Sequence, residues 1–191
     1  IKLNTSHLIS ENSLYHSFDE FLATHIALIF VFTKLDIHDE LFINFWSVKN
    51  IQRHIKFVSF IGQSSLDKDN VTEEWLKKKN VDKEKLLKFW DYCLNLTTSP
   101  EVLTGFGYWI NPKKEILNDK IVIDKITNTL KATNGKLEWD YGFLHRLPSF
   151  ASIDNVKTLE AITYYLLDSN GKLRVNHYRQ RYYEEEIKIA L

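Results

Sequence analysis

The side chains best suited to chemistry in this 191-residue chain fall in four short stretches. The densest is KLRVNHYRQRYYEEE, Lys172 to Glu186, where Arg174, Arg179 and Arg181 alternate with His177, Tyr178 and Tyr182. Interleaved basic and aromatic side chains can grip phosphates and stack on bases. Tyrosine and arginine also favour the centres of protein interfaces. On a helix Arg181 would face Glu184 and Glu185, and Glu184 would face Lys188, so part of this charge pairs within the chain. A docking protein is therefore the expected partner, with nucleic acid as the alternative.

The second stretch is FGYWIN, where Tyr108 and Trp109 sit in a glycine-flanked turn. Such a turn can present rings for binding, or its tryptophan can fill the gap between helices. The third is HRLP, with His145 and Arg146 before Pro148, read as a turn between helices. A catalytic His145 would need an orienting acid, for which Asp140 is near in sequence, and a nucleophile, which nothing indicates. The fourth is DIHDE, where Asp36, His38, Asp39 and Glu40 crowd together. Those acids suit a helix N-terminus better than a metal centre. His25, on an apolar segment, reads as a core histidine rather than a ligand.

The usual enzyme signatures are missing. The sequence holds no phosphate-binding G-x-x-x-x-G-K-[ST] loop, no G-x-S-x-G elbow and no H-E-x-x-H pair. One cysteine, Cys93, excludes both an intrachain disulfide and a cysteine-based zinc cluster. No metal, cofactor or catalytic residue is expected. With 25 basic and 25 acidic residues, the net charge does not steer the chain towards nucleic acid or an anionic membrane. The longest apolar run, Ile26 to Phe32, is too short to span a bilayer. A reducing, cytoplasmic setting follows from the cysteine content. The chain opens at Ile1, has no methionine and closes on EEEIKIAL, so we expect a piece of a longer polypeptide.

The elements that must position these residues read as helices. Ser17 and Glu20 form a candidate capping box before an apolar segment that includes Phe18, Phe21, Leu22, His25 and Ile29. Being apolar nearly all round, that helix is expected in the domain centre. Asp36 and Asn50 are candidate caps of the next two helices, the second ending near Gly62. The stretch from Asp67 to Asp91 reads as the outer faces of two more, with a break near Asn80 and, on the second, an inward stripe of Leu86, Leu87, Trp90, Cys93 and Leu94. Ser99 and Pro100 read as the cap and first position of another. The chain thus divides into a helical N-terminal part, 1–98, and a helical-repeat part, 99–191, within one continuous domain.

The repeat is a matter of identity. ITNTLKATNGKL (Ile126 to Leu137) and ITYYLLDSNGKL (Ile162 to Leu173) agree at seven of twelve positions and begin 36 residues apart. In each, isoleucine and leucine four apart share a helix face. Asn-Gly supplies the left-handed backbone that stops a helix, and the following leucine can fold back to seal the end. Helix, stop and helix at this period predict an all-α fold with stacked helical hairpins, of the HEAT/TPR-like α-solenoid kind.

The last 90 residues also carry a looser pattern: FGYWINPKKEIL, then NGKLEWDYGFLHRLPSFAS, LEAITYYLL and IKIAL. This resembles the helical C-terminal regions of large bacterial antiviral defence proteins that bear a nucleotide-hydrolysing or SIR2-like domain elsewhere. The resemblance implies a non-enzymatic sensor or interaction module whose partner is another protein or another domain of the same chain. A nucleic-acid-binding helical domain is the alternative, and a small enzyme using His145 a third.

Overall fold

The computed structural model describes residues 11–65, 81–96, 98–110, 117–174 and 187–188, with side chains of the first stretch from Phe18 to Gln63. The fold is all-α, with eight α-helices and no strand among the described residues.

Helix α1 (Glu11–Phe32) begins upstream of the expected capping box, so Ser17 lies inside it rather than at its start. Nor is α1 central. Ala23, Ile26, Ala27, Phe30 and Val31 are buried, while Phe18, Phe21 and Ile29 are exposed. The small side chains of Ala23 and Ala27, one turn apart, let α3 (Ile51–Phe60) pack closely along one face only. His25 lies on the exposed side, its ring on Phe21 and its Nδ1 2.7 Å from the Phe21 carbonyl oxygen. It is not a core histidine.

The last carbonyls of α1 are capped from outside the helix. Lys85 is buried, and its ammonium donates to the carbonyls of Phe30 and, at 2.7 Å, Thr33. A cation there completes the helix dipole and satisfies orphan acceptors. Burial pulls the Lys85 ammonium below the usual lysine range, against the opposing pull of Asp82, Asp36 and Asp39.

Helix α2 (Glu40–Ser47) is preceded by Asp39, not by the expected Asp36. Asp39 turns its carboxylate back to the backbone N–H of Asp36, 2.5 Å away, so the two acids build the turn instead of capping the helix. Asn50 caps α3 as its sequence position predicts, accepting from the Arg53 N–H at 3.1 Å. The α-helical stretch ends at Phe60, close to the expected stop at Gly62. A π-helical turn, Ile61–Ser65, continues past it.

Helix α4 (Lys83–Asn95) is capped by Asp82 and buries Leu86, Phe89, Trp90 and Cys93 at helical spacing. The Cys93 thiol is fully buried, which pushes its pKa well above the ordinary value. The other helix expected before Asn80 lies outside the described residues.

Phe30, Phe42, Phe57 and Phe89, one from each of α1 to α4, meet pairwise with centroids 5.4–6.0 Å apart. Phe89 also meets Trp109, and Trp90 stacks on Phe106 at 4.6 Å, so the core continues into the second half.

Pro100 opens α5 (Pro100–Thr104), but Ser99 bonds the Glu101 carboxylate rather than capping. Residues Gly105–Ile110 then form a 3-10 turn that touches α3, α5, α6 (Asp119–Ala132), α7 (Tyr141–Ile153) and the π turn. The expected turn at His145 and Arg146 is the middle of α7, with Pro148 inside the helix. An interior proline costs about 3 kcal/mol. Phe143, Leu144, Leu147 and Phe150 are all buried on α7, and each such side chain contributes about 1.5–3 kcal/mol. Burial therefore outweighs the proline. Arg146, also buried, donates to the Leu117 carbonyl at 3.1 Å and pairs with Asp119.

Helix α8 (Asn155–Leu166) packs on α6 and α7. The two copies of the repeated phrase thus end α6 and α8, yet the second does not stop its helix in the manner of the first.

Candidate functional site

Two glycines explain how aromatic rings reach the surface at one place. A Cβ on Gly62 would fall 2.5 Å from the Cβ of Tyr108, and one on Gly107 would fall 2.9 Å from the Trp139 carbonyl oxygen. Bare backbone at both positions lets the π turn, the 3-10 turn and the α6–α7 connection close on one another. That connection is pinned on both sides of Trp139. The Glu138 N–H donates to the Thr104 carbonyl at 3.1 Å, and its carboxylate accepts from Ser59 at 3.0 Å. Asp140 is buried and accepts from the Tyr165 hydroxyl at 2.8 Å.

Trp139 is left 43% exposed between these anchors. Its indole stacks on Tyr108 with centroids 5.9 Å apart and meets Tyr141 edge-on at 6.0 Å. Tyr141 in turn touches His145, one turn along α7, at 5.6 Å. Tyr108, Trp139, Tyr141 and His145 form a ladder of rings on rigid supports. Such rings offer large contact area with few rotamers to freeze, which suits recognition of a flat or apolar group.

The ladder joins two stretches that the sequence set apart, through Tyr108 and His145, and adds Trp139 and Tyr141. The signal for those two lay in EWDY, where two aromatics follow a helix stop, but nothing in the spacing linked it to FGYW. Trp109 faces inward: it is 3% exposed and its Nε1 donates to the Val58 carbonyl at 2.9 Å. It fills the core and does not present a binding ring. Arg174 is engaged within the fold, donating to the Leu167 carbonyl at 2.9 Å and the Asn134 side chain at 2.7 Å. His177, Tyr178, Arg179, Arg181 and Tyr182 lie outside the described residues.

The DIHDE turn borders a cleft of about 440 Å³ with Tyr92 and Asp91 of α4 on its other side. Two of the charges lining it are paired: Lys88 with Glu84 at 2.9 Å and Asp91 with Lys125. Among the described residues, no group of three or more His, Cys, Asp or Glu side chains could hold a metal ion. No helix among them is long and apolar enough to cross a membrane. Comparison with family models, with curated proteins and with solved structures finds no match for this chain.

Proposed function

We propose that this chain is a non-enzymatic interaction and sensor module of a larger bacterial protein, and that it recognises a protein partner through the ladder of Tyr108, Trp139, Tyr141 and His145. The observation that carries the reading is Trp139, exposed although both flanking residues are fastened to the fold. Holding a large ring rigidly in water removes much of the ordering cost of binding in advance. The resemblance of the second half to helical regions of antiviral defence proteins supports a defence role for the parent protein. A lone, buried cysteine supports a cytoplasmic setting.

A photo-crosslinking residue placed at His145 in cells of origin tests the reading. One discrete protein adduct is expected, lost in Trp139→Ala and absent when the probe is moved to exposed Glu160 on α8. Equal adducts from both probes would remove the ladder from consideration. Adducts to nucleic acid, with binding that weakens steeply as salt rises, would favour the nucleic-acid alternative, since the rings can also stack on bases.

A further inference from the structure

Helix α2 is held differently from the other helices. It lacks the close backbone packing that joins α1 to α3 or α6 to α8. Its hold is through side chains: Phe42, Phe45 and Trp46 reach into the aromatic core, and His54 reaches back to them from the first turns of α3. The His54 imidazole stacks on Trp46 at 4.0 Å with 17° between the planes, and meets Phe45 edge-on at 6.3 Å. Trp46 continues the contact to Phe42, Phe57 and Phe89. His54 thus joins Phe57, which meets Phe42, Phe45 and Trp46, in holding α2 against α3, and among these contacts it is the one whose charge can change.

One atom of that link is incomplete. His54 bonds the Trp46 backbone, while its Nε2 is buried without a hydrogen-bond partner among the described residues. In the neutral ring Nε2 is a bare acceptor, which is tolerable. Protonation would turn it into a buried cationic donor with nothing to accept from it. The charged groups around it do not help. Arg53 is adjacent on α3 and repels a second cation. Asp19, the acid that α1 brings to this seam, is engaged by Asn50 and by Arg53. From α2 the ring meets Phe45 and Trp46. The indole face attracts a cation, but burial and Arg53 prevail, and the His54 pKa is lowered from 6.5.

We propose that His54 is an acid-sensitive latch, and that its protonation releases α2 from α3 while the rest of the fold persists. The sign follows from linkage. With the folded pKa below the unfolded one, the neutral latch contributes fully above about pH 6.5, and its contribution is lost as pH falls from there through the folded pKa. Released, α2 would uncover Phe42, Phe45 and Trp46, an apolar face available only in acid.

Amide hydrogen exchange on the 191-residue chain between pH 7.5 and 5, corrected for intrinsic rates, tests this. Protection of α2 amides should fall by up to about tenfold per pH unit, the limit for one proton. Protection of α6 should hold, and His54→Gln should flatten the α2 response. Constant α2 protection, parallel loss in α2 and α6, or an unchanged response in the variant would each overturn the latch. If His54→Gln does not fold at pH 7.5, NMR titration of the wild-type His54 ring decides. A midpoint below 6.5 in step with α2 loss supports it; titration without change in α2 overturns it.

Discussion

ITNTLKATNGKL and ITYYLLDSNGKL use the same residues at seven positions, and the chain leaves each of them in a different way. In the first copy α6 runs to Ala132, and Asn134 and Gly135 both take positive φ, 52° and 74°. The Gly135 N–H returns to the Leu130 carbonyl at 2.6 Å and that of Asn134 to Lys131 at 3.3 Å. This is a Schellman stop. In the second copy α8 ends at Leu166, before the Asn-Gly pair is reached. The Asp168 carboxylate accepts from the N–H groups of Asn170 and Lys172, at 2.8 and 2.9 Å, and shapes a tight turn across the Leu167–Leu173 bridge. The residue opposite Asp168 in the first copy is Ala132, which has no such acceptor and stays helical. One side chain that competes for backbone donors thus separates a helix stop from a turn.

The copies also differ in what surrounds them. A Cβ on Gly135 would lie 2.2 Å from the Tyr164 carbonyl oxygen and 2.9 Å from Arg174 Nε, because the second copy packs onto the first. A Cβ on Gly171 would meet nothing within 4 Å. Gly135→Ala should therefore cost about 3–4 kcal/mol, combining backbone strain with a clash that must separate α6 from α8. Gly171→Ala, at φ 71°, should cost only the strain, about 1 kcal/mol. Urea unfolding of both variants measures the contrast, and equal losses would break it.

The leucines make the next largest contrast. Leu137 packs against the core beside Gly107, whereas Leu173 is 67% exposed. We expect Leu137→Ala to lose about 2 kcal/mol and Leu173→Ala less than about 0.5 kcal/mol. Thermal melts at pH 7.5 would check both.

Arg174 joins the copies, and Arg174→Met keeps the stem while removing its bonds to Asn134 and Leu167. A loss of about 1 kcal/mol is expected. A double-mutant cycle with Gly135→Ala should show strong non-additivity, since both changes act on one contact. Additive losses would mean that Arg174 does not report the packing of one copy on the other.

The smallest effect sharpens the comparison most. Asp168→Ala makes the second copy read LLASNGKL, close to LKATNGKL in the first. Freed of the competing carboxylate, α8 should lengthen towards Asn170 while stability changes by less than about 1 kcal/mol. Backbone chemical shifts of residues 166–171 would show it. Unchanged shifts would place the difference in the α6–α8 packing rather than in Asp168.

The all-α class, the α4 stripe through Cys93 and the Asn50 cap of α3 were legible because each rests on residues within two or three helical turns. Ser17 and Asp36 carried equally good local signals and were misread. Upstream residues extended α1 past Ser17, and Asp39 intervened before α2; Gly62 lies close to the end of α3 as expected, but its bare backbone also answers to Tyr108. Pro148 was misread for a similar reason, since buried neighbours on α7 outweigh its local penalty.

The amino-acid sequence by itself determined that this chain is helical, where several helices start, and that one phrase occurs twice. Helix periodicity and caps act over a few residues, so they can be read in order along the chain. The tertiary structure alone decided which Asn-Gly stops a helix and that Trp139 stands between Tyr108 and Tyr141. These outcomes turn on contacts between residues tens of positions apart, and on glycines whose value lies in what another segment brings against them. Local rules carry no record of such contacts.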